Sequence, residues 1–265
     1  MRYEILGKVR VEHAGEHRYV NAPKVELLLR VLLIEADKYL TSDQLINEIW
    51  GEQSPRRAKA GLHVYISQIR KFLEQPRETE SLLRTRNAPL GYCLRLHDGE
   101  VDYRVWNGHL RSAWSAFAAR DHLLASQHCA RALALWRELP EAPASRGPIM
   151  EGFLASLVES RLEALELSIS SAIMLGRDRT VVNQLHSLIA EHPLRECFYL
   201  QLMIALYRMD RQADALAVYQ QAWRTLDREL GIGPGQSLRQ LHQSILMEED
   251  HPELVLTKSF ERTCA

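Results

Sequence analysis

Apolar residues recur along this chain with two different periods. From Arg2 to Val20 they alternate with polar residues, and Gly15 marks a turn, which predicts two or three short strands. From Pro23 the period lengthens to that of a helix, with Leu27, Leu28, Val31, Leu32 and Ile34 on the buried side. Thr41 to Gln44 is a capping-box pattern, with Gln44 at the third helical position. It opens a short second helix through Leu45, Ile46, Ile49 and Trp50, which Gly51 ends. A third helix is predicted from an N-cap at Ser54 and a first helical residue at Pro55, and Leu62, Ile66, Ile69 and Leu73 form its apolar stripe. Leu82–Arg86 and Gly91–Leu96 then read as the strands of a short hairpin with its tip at Asn87 to Leu90.

The third helix differs from an ordinary surface helix in its charge. Between Pro55 and Leu73 there are five Lys/Arg and no Asp/Glu. Surface helices usually mix the signs to gain pairs four residues apart. Arg56, Lys59, His63, Ser67 and Arg70 step by three and four along the side away from the apolar stripe, with Lys71 beside them. Such a face neutralises phosphates and hydrogen-bonds base edges. The hairpin adds Arg84, Arg86 and Arg95, and no acid lies between Leu82 and His97. Three helices followed by a basic hairpin, with the cationic helix third, is the order of a winged helix-turn-helix, whose wing reaches a neighbouring minor groove or phosphate.

From about Val101 the pattern is almost entirely helical, with segments near 102–120, 121–138, 149–176, 178–191, 195–209, 212–230 and 235–247. Turns are expected at Arg120, Leu139, Gly176, His192 and Met209 to Arg211, and a loop at Glu138–Pro148. Tyr199, Leu202 and Leu206, then Ala215, Tyr219 and Ala222, fit the spacing of a tetratricopeptide unit, and Ala125, Cys129, Ala132 and Trp136 echo its second half. Small alanines let paired helices approach closely, and stacked pairs share one core. The fold class expected is therefore mainly α with a small β component: an N-terminal winged helix-turn-helix followed by an all-α tetratricopeptide-like domain. A length of 265 residues fits roughly two domains. They are expected at 1–97 and 98–250, with a loosely ordered tail at 251–265.

A net charge of −1 hides an asymmetry. Through His97 there are 16 Lys/Arg against 12 Asp/Glu; from Asp98 onward there are 17 against 22. The front suits a polyanion and the back suits protein partners. No apolar run is long enough to span a membrane and the first residues are not a signal peptide, so a cytoplasmic protein is expected. Cys93, Cys129, Cys197 and Cys264 lack metal or redox spacing and read as reduced thiols. The histidine pairs His13/His17 and His186/His192 have no third ligand nearby, and neither metal nor cofactor is expected. The run Gly231 to Gly235 follows a helix and contains Pro234, so it reads as a helix cap and turn, not a nucleotide loop. No phosphate-binding loop or nucleophile elbow occurs, and an enzyme is not expected.

The chain resembles the Streptomyces antibiotic regulatory proteins, which join an OmpR-type winged helix to a bacterial transcriptional activation domain. The front likeness lies in LHVYISQIRKFL and in the wing ending GYCLRL. The back likeness lies in ARALALWRELP, ESRLEALE, EHPLRE, LMIALYRMDRQADALAVYQ and RELGIGPGQSLRQLHQSIL, in that order over roughly residues 1–250. The resemblance implies a transcriptional activator of antibiotic or other secondary-metabolite genes. It further implies binding to tandem direct repeats, a second protomer on the adjacent repeat, and recruitment of RNA polymerase through its sigma factor. By the same analogy, the turn of Gly51, Glu52, Gln53 and Ser54 is the candidate polymerase contact. Lys59, His63, Ser67 and Arg70 are expected toward the major groove, Arg56 and Lys71 on phosphate, and Arg84 and Arg86 on the wing. The chain opens on the winged-helix strands, so no receiver domain is expected before them. The alternative is a helical-repeat adaptor whose basic front binds another polyanion.

Overall fold

The computed structural model describes residues 1–13, 15–73, 83–87, 90–96, 100–138 and 147–247. Residues 88–89 of the expected hairpin tip, much of the expected loop at 138–148 and the C-terminal tail lie outside them, whereas Asn87 and Leu90, expected in the tip, pair as strand residues. Two compact units form, one from residues 1–108 and 132–161, the other from 109–131 and 162–265.

In the first unit, β1 (Arg2–Glu4), β2 (Arg10–His13) and β3 (Glu16–Tyr19) form an antiparallel meander with Tyr3 opposite Val11 and Val11 opposite Arg18. The helices α1 (Pro23–Ile34), α2 (Ser42–Trp50) and α3 (Ala58–Leu73) follow. Between α1 and α2 lies β4 (Leu40–Thr41), and after α3 come β5 (Leu83–Asn87) and β6 (Leu90–Leu94). The second sheet runs β4-β6-β5. The first sheet gains β7 (Glu100–Val101), parallel to β1. Two-residue strands such as β4 and β7 carry no period of their own; their partners define them.

α1 is buried on nearly all sides, from Val25 through Leu33, whereas its sequence pattern marks a single face. Even Arg30 is inside, donating to the Gly7 carbonyl at 2.9 Å and to Glu26 at 3.0 Å, so the charge arrives paired. Burial pulls the Arg30 pKa below its ordinary value, with Glu26 acting against that. The capping box of α2 is present: Gln44 N–H donates to Thr41 Oγ1 and Thr41 N–H donates to Gln44 Oε1. α3 starts at Ala58, later than the Pro55 start that the sequence suggests. The Ala58 N–H reaches back only three residues to the Pro55 carbonyl, closing a tight turn, and the first four-residue bond runs from Gly61 N–H to the Arg57 carbonyl.

The rest of this unit is tied to its first strand. Asp102, at the start of α4 (Asp102–Ala118), is buried and accepts the N–H groups of Ile5, Leu6 and Tyr103. The Arg137 N–H donates to the Leu6 carbonyl and its guanidinium to the Lys8 carbonyl, while Glu138 accepts the Lys8 N–H. Residues 134–138 thus lie outside the helix that the periodicity predicts to 138, and α5 (His122–Leu133) is shorter. The Trp106 indole donates to Ser160 at 2.7 Å and meets Trp136 edge-on at 5.3 Å.

The second unit is all helix. It holds α7 (Asp178–Glu191), α8 (Glu196–Tyr207), α9 (Gln212–Leu230) and α10 (Gln236–Leu246), with most of α5 and parts of α4 and of α6 (Pro148–Met174). α8 is buried from Phe198 to Leu206 and packs between α7 and α9. Tyr199, Leu202 and Leu206 lie in its core, and Ala215 and Ala222 sit on α9 fully buried, as the repeat pattern requires. Ala125, Cys129 and Ala132 are fully buried as well. Gln201 is buried and its amide donates to Ser170 Oγ and to the Glu166 carbonyl. Gly231 caps α9 in the left-handed conformation. Tyr219 stacks on His242 of α10, ring centroids 3.9 Å apart.

Candidate nucleic-acid interface

α3 presents two faces. Leu62, Ile66, Ile69 and Leu73 are buried against α1 and α2, and the opposite side is open to solvent. Trp50 fixes the turn between α2 and α3: its ring stacks on Tyr65 at 5.7 Å and carries Lys24 over it at 5.0 Å. At the other end Arg18 of β3 lies over the Phe72 ring at 4.9 Å. The helix is thus held by aromatic stacking at Tyr65 and by a cation–π contact at Phe72 in its last turn.

Of the predicted residues, Arg56, Lys59, His63, Ser67 and Lys71 are exposed and Arg70 is half-buried. Arg56 precedes the helix, in the turn described above. Lys59, His63 and Arg70 share one flank, and each meets another element. Lys59 Nζ is 3.9 Å from Asp43 on α2. The His63 ring stands edge-on to Tyr92 of β6 at 6.5 Å. Arg70 Nη2 donates to Thr85 Oγ1 of β5 at 2.5 Å. Burial raises the Tyr92 phenol pKa above its ordinary value, and the Arg70 charge works against that rise.

The last of these bonds joins helix to wing. In the β5–β6 hairpin Arg84 lies opposite Cys93 and Thr85 opposite Tyr92, and Arg84 is exposed. Arg86 pairs through its backbone with Gly91; its side chain lies outside the description. Gly91 is required by close approach: a Cβ there would stand 2.7 Å from the Leu40 carbonyl oxygen. Its partner strand β4 could not otherwise lie against the wing.

Of the outermost residues of α3, the charged pattern picks out Ser67 and Lys71 but not Ala60 and Val64. Opposite the buried stripe stand Ala60, Val64, Ser67 and Lys71, all exposed, with Arg57 and Gln68 on the far flank. The signal for them is in the sequence: a buried line through Leu62, Ile66 and Ile69 sets its opposite about half a turn away. Following charges instead leads toward the flank that faces the wing and α2.

The candidate polymerase turn is open. Glu52, Gln53 and Ser54 are exposed, and Gly51 takes a φ of 57°, which other residues rarely adopt. Among the described residues no cluster of three or more His, Cys, Asp or Glu is placed to hold a metal ion, and no helix is long and apolar enough to cross a membrane.

A three-helix unit closed by a hairpin wing, joined in one chain to paired antiparallel helices, is the build of a bacterial transcriptional regulator. Residues 19–94 match the family described as transcriptional regulatory protein, C terminal, and residues 101–246 match the bacterial transcriptional activator domain. The chain is 34% identical to the regulatory protein AfsR of Streptomyces griseus over 94% of its length, and 34% identical to the transcriptional regulator RedD of Streptomyces coelicolor over 92%. It covers 25% of that AfsR and 70% of RedD. The transcriptional regulatory protein EmbR of Mycobacterium tuberculosis is 32% identical over 93% of this chain, which spans 63% of EmbR. A solved structure of Mycobacterium tuberculosis EmbR in complex with a low-affinity phosphopeptide superposes with a TM-score of 0.84 at 31% identity, covering 97% of this chain and 68% of that one. The chain belongs to the Streptomyces antibiotic regulatory protein family, a family of transcriptional regulators and not of enzymes.

Proposed function

We propose that this chain is a sequence-specific DNA-binding transcriptional activator of an antibiotic or other secondary-metabolite gene cluster. The observation that carries the reading is the open face of α3, cationic, free of acids in its own sequence, and tied to the wing through Arg70 and Thr85. α3 enters the major groove and the β5–β6 wing lies along a neighbouring phosphate or minor groove. Arg56 and Lys71 neutralise phosphates; Lys59, His63, Ser67 and Arg70 face the groove; Arg84 and Arg86 serve the wing.

The operator is a tandem direct repeat with copies roughly 10–11 bp apart, one helical turn, so that two protomers bind head to tail on one side of the duplex. The exposed turn Gly51 to Ser54 and the acidic helical part recruit RNA polymerase through its sigma factor. The functional division falls at residues 97/98, DNA binding before it and activation from 98 to 250, and the protein acts in the cytoplasm with no cofactor.

Selection of the purified chain against random duplex DNA at about 150 mM salt tests this. The expected result is an enriched direct repeat of one-turn spacing. Binding without base preference, lost as salt rises, overturns it in favour of a polyanion-binding adaptor.

A further inference from the structure

One side chain on the open face of α3 does not suit a phosphate. Val64 is 54% exposed, the exposed large apolar residue among the described residues of this helix. It stands in the outermost stripe, four residues after Ala60 and three before Ser67, with Lys71 a turn beyond. Both near neighbours are small. A helix whose outermost side chains are short can bring its backbone close to whatever it faces.

We propose that Val64 packs on the C5-methyl group of a thymine in each half-site and so selects T·A at that base pair. The inference rests on the DNA-binding reading of α3. Five Lys/Arg and no acid between Pro55 and Leu73 match this helix to a polyanion, and Val64 points out from the middle of that face. In the major groove the apolar group that base edges present is the thymine methyl. A valine side chain in a helix is held in one χ1 rotamer, so it meets that methyl with little further loss of freedom. The contact is apolar and carries no counterion, so its strength does not change with salt, unlike the lysine contacts around it. Ala60 and Ser67 permit the approach; Val64 makes the discrimination.

The test uses the full chain and the duplex enriched from random sequence. Each thymine is replaced in turn by uracil, which removes only the methyl. Wild type loses about four-fold in affinity at one thymine per half-site, the scale of one buried methyl group. Val64→Ala loses that factor at each half-site of the thymine operator and becomes indifferent to uracil at that position. The ratio between the two proteins stays constant from low to high salt. Val64 is exposed, so the alanine variant keeps the fold, and its unfolding midpoint confirms it. If the operator is bound but wild type and Val64→Ala respond alike to every uracil, the proposal is overturned while the DNA-binding reading stands. If the folded wild type enriches no sequence, both fall.

Discussion

Glu48 of α2 accepts the Ile149 N–H at 2.8 Å and the Met150 N–H at 3.1 Å, so a buried carboxylate of the winged helix caps the first turn of α6. The first N–H groups of any helix lack partners within it and carry partial positive charge. A carboxylate in that place answers both needs, and Glu48, only 1% exposed, is itself satisfied there. Glu48→Ala leaves at least two N–H groups unpaired and a small void, and should cost about 2–4 kcal/mol in urea unfolding. Glu48→Gln keeps one acceptor oxygen and should cost less. Equal losses for the two variants would mean that packing, not the capping bonds, is what Glu48 supplies.

Gly147 completes the same arrangement. A Cβ at this position would stand 2.6 Å from the Glu48 carboxyl carbon and 2.7 Å from its Cα. The carboxyl can turn aside, but the α2 backbone cannot move without its neighbours Leu45 and Ile49, both buried. Gly147→Ala is therefore expected to lower stability by about 1–3 kcal/mol, the usual cost of overpacking. Thermal unfolding of the single variants and of Glu48→Ala/Gly147→Ala reads the coupling, and the double variant should fall short of the sum.

Gly91→Ala should act on the wing. The added methyl meets the Leu40 carbonyl, and β4 and β6 must part. Loss of about 1–3 kcal/mol is expected, together with weaker operator binding in a gel-shift titration, because Thr85, which holds Arg70, is paired with Tyr92 on the same strand. Unchanged binding with lowered stability would separate the wing from recognition.

Acid should loosen α10. Burial lowers the His242 pKa below its ordinary 6.5, where the ring stacks on Tyr219. Well above pH 6.5 the ring is neutral in both folded and unfolded chains and contributes no pH dependence. As pH falls from 6.5 through the lowered folded value, the unfolded chain takes the proton first and stability drops. His242→Phe keeps an aromatic ring against Tyr219 without a proton to bind. The difference in melting temperature between variant and wild type should widen in the variant's favour between pH 7 and pH 5.

The elements with a strong period were legible from sequence. Pro23 opens α1, the capping box opens α2, and the Ala215 and Ala222 spacing marks the closely packed α8–α9 pair. What the sequence hid depends on partners distant along the chain. Nothing local distinguishes Glu48 from a solvated acid on α2, since its role is set by Ile149 a hundred residues on. β4 and β7 are too short to show alternation, and α5 stops early, with Arg137 and Glu138 beyond its end bonded to the β1–β2 turn. On α3 the periodicity shows the helix, and the charged pattern reaches Ser67 and Lys71 of the outward stripe but not Ala60 and Val64, which only the line opposite the buried residues marks.

That geometry adds a second difference between Lys59, expected toward the major groove, and Lys71, expected on phosphate. Lys71 is exposed in the outward stripe, whereas Lys59 Nζ lies 3.9 Å from the Asp43 carboxylate. Both groups of the Lys59 pair are well exposed, so the pair adds little stability, but the carboxylate partly offsets the lysine's field at a phosphate. Each phosphate neutralised by a full positive charge adds about 0.9 to the slope of log K against log salt. Lys71→Ala should therefore reduce the slope by close to that amount, and Lys59→Ala by less. Asp43→Asn should steepen the slope, by freeing Lys59. Lys59→Glu goes further, setting two carboxylates side by side above the groove, and should abolish operator binding while the helical unit keeps its circular-dichroism spectrum. Equal slopes for Lys59→Ala and Lys71→Ala would show that Asp43 turns away from Lys59 when DNA binds. Full operator binding by Lys59→Glu would show that α3 is not the helix that reads it.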